Sequence, residues 1–149
     1  MKIEQDLADF ARIPLLAALD YEARRALAVT AKSFMLRNGD VVFRAGEASD
    51  GGYMLLNGSL EFQPVGLSAR AQIIVPPALI GELALITDTT RPGSLTARAP
   101  STVLFISRQL FQSVLKEHPR SARKARAWIE SRLLDYSKAL SETGQKLGS

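Results

Sequence analysis

Between Ser33 and Ser107 the chain is a succession of short apolar runs separated by turn residues, and this spacing narrows the possible folds more than any other feature. The runs are SFMLR, VVFR, GYMLL, SLEFQP, AQIIV, SLTARA and TVLFIS, each about one strand long. Asn38-Gly39, Gly46, Asp50-Gly51-Gly52, Asn57-Gly58, Gly66 and Pro76-Pro77 lie between them. Asn-Gly between apolar runs is a strong hairpin signal, because two-residue hairpin turns need positive φ. Seven or eight short strands at this spacing predict a sandwich, roll or barrel.

The period changes on both sides of this region. Leu7, Phe10 and Ala11 are spaced for one face of a helix over residues 4–11. Pro14 suits the first turn of a short helix, and Asp20 is placed to cap a helix over Tyr21–Val29 with Ala23, Leu27 and Ala28 inward. After Ser107, itself a plausible N-cap, Arg108–Lys116 reads as a helix that His118-Pro119 breaks. A longer helix runs from Arg120 to about Leu140, with Ala122, Ala125, Ile129, Leu133, Tyr136 and Leu140 on one stripe. Strands segregated from helices imply an α+β chain. The expectation is one domain over 1–149: N-terminal helices (1–32), an antiparallel eight-stranded, jelly-roll-like β-roll (33–107) and two C-terminal helices (108–142), with a frayed tail.

Composition removes several chemistries. The chain has no cysteine, so disulfides, thiolate catalysis and cysteine-ligated metals are excluded, and a cytoplasmic location is expected. One histidine, His118, cannot build the two- or three-histidine site of a β-roll metalloenzyme. No nucleophile elbow or P-loop occurs, so no enzyme, no catalytic residue, no metal and no cofactor are expected. No apolar run is long enough to span a membrane. Residues 1–107 hold 10 Lys/Arg against 11 Asp/Glu, whereas residues 108–149 hold 9 against 4. That basic C-terminal segment is read either as a solvated helix face or as a patch for nucleic acid or an acidic partner. About nine residues follow the long helix. Sequence-specific DNA binding needs a further module, so it is not expected.

One stretch does not fit a plain roll: Ile80–Ala97, IGELALITDTTRPGSLTA. Gly81 precedes a short run of helix formers, and Arg91 returns just before the next strand. A helix start that follows glycine presents unpaired N–H groups, which attract anions. An arginine at that end adds a charge-assisted donor. Glu82 would repel a bare phosphate, but it suits a ligand that also offers a sugar hydroxyl. The alternative is a surface Glu82–Arg91 salt bridge that merely closes a loop.

GELAL, five residues, then an arginine followed by small residues resembles the phosphate-binding cassette of cyclic nucleotide-binding domains. Asn38-Gly39-Asp40, Phe43, Gly46-Glu47, Asp50-Gly51, Tyr53 and Gly58 resemble the glycine-punctuated first half of the same family. The similarity covers about residues 12–142 and points to the sensory half of catabolite-activator (Crp/Fnr-type) regulators. It implies a cyclic nucleotide ligand, with cAMP expected. By the same resemblance Gly81 lets the backbone approach the phosphate, Glu82 accepts from the ribose 2′-hydroxyl, Leu83 and Ala84 offer backbone N–H groups, and Arg91 pairs with the cyclic phosphate. Ser94 falls near the base, and an aromatic of the long helix, Trp128 or Tyr136, stacks on a purine or packs at an interface. The resemblance also implies a homodimer through the 120–140 helix.

The chain departs from the family pattern at Pro92, which has no N–H where the family offers one to the phosphate. It also replaces the glycine-rich turn before the cassette with Val75-Pro76-Pro77-Ala78. Two alternatives therefore stand beside nucleotide sensing. One is a degenerate, ligand-free dimeric interaction module. The other is a sensor fragment of a transcription regulator that works with a separate DNA-binding protein.

Overall fold

In a computed structural model of the chain, residues 2–66 and 68–148 are described, the side chains of 135–148 excepted. Three helices, α1 (Lys2–Phe10), α2 (Pro14–Ala17) and α3 (Tyr21–Thr30), precede the strands. The strands are β1 (Lys32–Leu36), β2 (Val41–Phe43), β3 (Gly51–Asn57), β4 (Leu60–Pro64), β5 (Gln72–Ile74), β6 (Ala78–Ile80), β7 (Gly93–Ala97) and β8 (Ser101–Ser107). Helices α4 (Arg108–Glu117) and α5 (Pro119–Gly148) follow. They form two antiparallel four-stranded sheets, in the orders β1-β8-β3-β6 and β2-β7-β4-β5. The chain is an α+β protein built on an eight-stranded roll, as its turn spacing predicts.

Strand periodicity divides the apolar residues between two cores. On β3 and β8, Met54, Leu56, Leu104 and Ile106 point to the helices and pack with Phe10, Leu16, Leu27 and Phe111. Their neighbours Leu55 and Val103 point into the roll with Phe43, Leu60, Leu95 and Ala97. β3 is thus covered on both faces, which explains why GYMLL is continuously apolar rather than alternating. Its register, Tyr53 opposite both Phe105 and Ile80, brings the cassette to the end of this central strand.

Local chemistry sets most boundaries. The Ser107 side chain accepts from Leu110 N at 3.0 Å and caps α4. Asp20 occupies the N-cap of α3 without a side-chain cap bond. Its own N–H instead donates to Ser121 Oγ at 2.8 Å, tying α3 to α5. His118 is half-buried: it is the C-cap of α4, and its carbonyl accepts from Ala122 N as α5 begins. The final helix runs to Gly148 rather than fraying after residue 140, since Gln145, Lys146 and Leu147 are good helix formers and no proline intervenes. No helix among the described residues is long and apolar enough to cross a membrane.

The helix-side core should dominate stability. Phe111 is fully buried there, whereas Met35 is 86% exposed at the edge of its sheet. Phe111→Ala should cost about 3–5 kcal/mol, and Met35→Ala less than about 0.5 kcal/mol. Urea unfolding of the two variants against the parent measures both.

Candidate functional site

The expected cassette helix is a single 3-10 turn, Glu82–Leu85. Four residues are too few for an α-helix, and the turn closes with Ala84 N donating to Gly81 O at 3.0 Å. That bond commits the Ala84 N–H to the chain. The N–H groups of Glu82 and Leu83 precede the first closure and have no acceptor within the turn. Gly81 enters with φ +85°, and a Cβ there would lie 2.7 Å from Arg91 Nη1. Glycine is required on both counts: left-handed backbone, and a guanidinium packed against its Cα.

Arg91 is 5% exposed. Its backbone is clamped on the β2–β3 connection, with Arg91 N donating to Glu47 O at 2.8 Å and Gly46 N to Arg91 O at 2.9 Å. Its Nη2 donates to Gly51 O at 2.9 Å. The guanidinium carbon stands 4.3 Å from the centre of the Phe43 ring and 5.7 Å from that of Tyr53. Nε is buried without a hydrogen-bond partner, and among the described residues no carboxylate forms an ion pair with this arginine. Burial lowers the Arg91 pKa, against the opposing pull of Tyr53, Asp50 and Glu47. Burial also raises the Tyr53 hydroxyl, so Tyr53 is neutral beside a charged guanidinium.

The loop-closing Glu82–Arg91 pair does not form. Glu82 reaches the other way and accepts from Arg132 Nε of α5 at 3.3 Å. Arg132 also lies 5.6 Å from the Trp128 ring. With its side chain 59% exposed, Arg132 makes a solvated pair worth roughly 0–1 kcal/mol, which a ligand hydroxyl can displace.

Together these groups frame a cavity of about 570 Å³, with Gly81–Ala84 on one wall, Thr89–Pro92 on another, and Arg132 and Leu133 of α5 across them. The size suits a small organic ligand. All five residues singled out from the sequence, Gly81, Glu82, Leu83, Ala84 and Arg91, meet at this cavity. Ser94 does not line it; its hydroxyl accepts from Ala45 N at 3.0 Å and holds a loop. Trp128 is half-buried against the helix-side core rather than facing the cavity. The side chain of Tyr136 lies outside the described residues. Four contributors escaped the sequence reading as site residues: Phe43 and Tyr53 under the guanidinium, Gly51 as its acceptor, and Arg132 as the partner of Glu82. The first three stand among the residues that carry the family pattern, and that was their signal. Arg132 had none beyond its place four residues after Trp128.

A roll with a buried arginine facing a glycine-initiated turn is the arrangement that frames this cavity. The cyclic nucleotide-binding domain model matches residues 34–118, and the chain belongs to that family. Its structure resembles the N-terminal domain of a transcriptional regulator from Streptomyces coelicolor, with 27% identity, a TM-score of 0.78, and 88% of this chain and 94% of that one covered. It also resembles a cyclic nucleotide-binding-like protein from Brucella abortus, with 31% identity, a TM-score of 0.67, and 74% and 97% covered. Lysophospholipase nte1 of Aspergillus terreus is 29% identical over 115 residues, which are 74% of this chain but only 8% of that protein. The chain thus spans under a tenth of that relative's length.

Gly81→Ala tests the geometry. The added methyl occupies the space of Arg91 Nη1 at a backbone angle that alanine resists. Stability should fall by about 1–2 kcal/mol in thermal or urea unfolding. Because the arginine must move, ligand binding should fall further than the stability loss explains.

Proposed function

We propose that this chain is a non-catalytic cyclic nucleotide sensor that binds cAMP at Gly81–Ala84 and Arg91 and relays occupancy through α5. The observation that carries the reading is Arg91: a buried guanidinium, without a carboxylate, at the wall of a cavity lined by a turn with free N–H groups. A cyclic phosphate supplies the missing anion. The ribose 2′-hydroxyl, as donor, fits the Glu82 carboxylate. Because Glu82 is held by Arg132, a ligand that engages Glu82 changes a contact of α5, which is the physical basis of the relay. The absence of cysteine suits a cytoplasmic setting. The lysophospholipase activity named for the fungal relatives is a property of those far longer proteins.

Calorimetric titration with cAMP and cGMP tests the reading. Pro92 removes one donor from the phosphate, so the parent should bind at micromolar affinity or weaker. A hydrogen bond to a charged group is typically worth about 1.5–3 kcal/mol, so Arg91→Ala should lose roughly tenfold to a few hundredfold in affinity. Pro92→Ala restores an N–H and should bind more tightly, because the rigidity proline gives the turn is worth at most about 1 kcal/mol. If neither parent nor Pro92→Ala binds at millimolar nucleotide, the ligand-free interaction module replaces this reading.

The same helix supports a homodimer. Its inward residues Ala125 and Ile129 are consumed by the chain's own core and are not available to a twin, contrary to the simple stripe. Leu133 and Leu134 are 45% and 72% exposed on a helix of 30 residues, about 45 Å long. An isologous pairing of two such helices would cover them. Leu134→Asp should shift sedimentation from dimer to monomer at tens of micromolar protein, with the far-UV circular dichroism of the fold retained and a melting temperature that no longer rises with protein concentration; a parent that is already monomeric overturns the dimer.

A further inference from the structure

α4 begins with a cation. Arg108 is its first residue, where the unpaired N–H groups of a helix start disfavour positive charge. The side chain is nevertheless only 18% exposed, and it turns away from its own helix. Nε donates to Ala84 O at 2.9 Å, inside the cassette turn. Nη2 donates to Ser49 O at 2.7 Å. Nη1 meets Asp88 Oδ1 at 2.7 Å, and the backbone N–H donates to Asp50 O, also at 2.7 Å. One residue therefore holds the cassette, the β2–β3 connection and the start of α4 together.

Those acceptors are next to the ligand-facing groups. Ser49–Asp50 lead directly into Gly51, whose carbonyl orients Arg91. Ser49 also grips the far end of the cassette, its N–H donating to Thr89 O at 2.9 Å and its hydroxyl meeting Thr89 Oγ1 at 2.5 Å. The distance between the cassette N–H groups and the Arg91 guanidinium is thus set by a frame with Arg108 at its centre.

We propose that Arg108 is the positioning residue of the ligand site. It fixes the cassette turn against the Arg91 support without touching ligand, and it joins both to the first turn of α4. The three nitrogens of its planar fork each bond a different acceptor, a spread that the single nitrogen of a lysine does not reproduce. The inference rests on reading residues 81–91 as the ligand-binding cassette.

Hydrogen–deuterium exchange of the unliganded protein is the test, since it reports cassette order whether or not a nucleotide binds. In Arg108→Met, peptides covering 81–90 should exchange at least about tenfold faster, while the β8 peptide stays at the parent rate. Arg108→Lys should fall between. Asp88→Asn should match the parent, because the Asp88 side chain is 96% exposed and its pair is heavily solvated. Titrated with cAMP, Arg108→Met should bind about tenfold more weakly at unchanged stoichiometry. Unchanged cassette exchange in Arg108→Met overturns the proposal. So does equal acceleration of β8, the mark of a general loss of stability. Should the parent bind no cyclic nucleotide, the functional reading fails and the exchange comparison alone decides the positioning role. Should Arg108→Met fail to fold, Arg108→Lys carries the test: partial loss supports the role and parent-like exchange overturns it.

Discussion

A guanidinium withdrawn from water without a carboxylate to meet it is the constraint around which this site is built. Desolvating a charge is costly, and Arg91 is compensated by the Gly51 carbonyl, the faces of Phe43 and Tyr53, and the more distant pull of Asp50 and Glu47, with no carboxylate among the described residues in direct ion-pair contact. Pairing it with Glu82 would have neutralised it and filled the cavity. The fold prevents this by turning Glu82 toward α5. Positive charge therefore remains at the wall of a cavity where other donors converge, an arrangement an anion completes. The missing Cβ of Gly81 follows from the same constraint, because the arginine occupies that space.

The layered architecture explains why such a site sits where it does. β3 is buried on both faces and paired on both edges, by β8 and β6, so its first residues are a well-packed support. Gly51 lies at that end, and a Cβ there would fall 2.2 Å from Ile106 O, so the strand start can approach β8 only as glycine. The cassette leaves the adjacent edge strand β6 and returns to β7 of the other sheet. It is thus a bridge between sheets, open on one side, with the helix-side core behind it through Leu85. The open side is faced by α5, through Arg132 and Leu133. Two contacts of unequal strength join this region to the C-terminal helices: a solvated ion pair at α5 and a half-buried set of hydrogen bonds at α4.

The roll was legible because its evidence is local. Gly39 and Gly58 turn the chain at positive φ, +93° and +100°, where the Asn-Gly pairs mark turns, but neither turn closes the expected hairpin: β1 and β2, and β3 and β4, lie in different sheets, so each turn carries the chain from one sheet to the other. The Ser107 cap and the inward Ala23, Leu27 and Ala28 of α3 also followed from spacing alone. The cassette residues were legible through a pattern of types: glycine, a carboxylate and a returning arginine. What could not be read were contacts between residues distant in sequence. Arg91 and Phe43 are 48 positions apart, Glu82 and Arg132 50, and no periodicity links them. Of the stripe read on α5, Ala125 and Ile129 are buried in the chain's own core and Leu133 is 45% exposed, while the side chains of Tyr136 and Leu140 lie outside the described residues.

The sequence by itself therefore determined the class of fold, the order of its elements and the residues that form the cassette, because turn geometry, capping and side-chain period act over a few residues. Tertiary structure decided which charges meet. It buried Arg91 beside aromatic rings, gave Glu82 to Arg132, and directed Arg108 away from its own helix into the frame of the cavity. An ion pair or a cation–ring contact depends on distances of a few ångströms between surfaces, and those distances exist only once two sheets and the helices over them have packed.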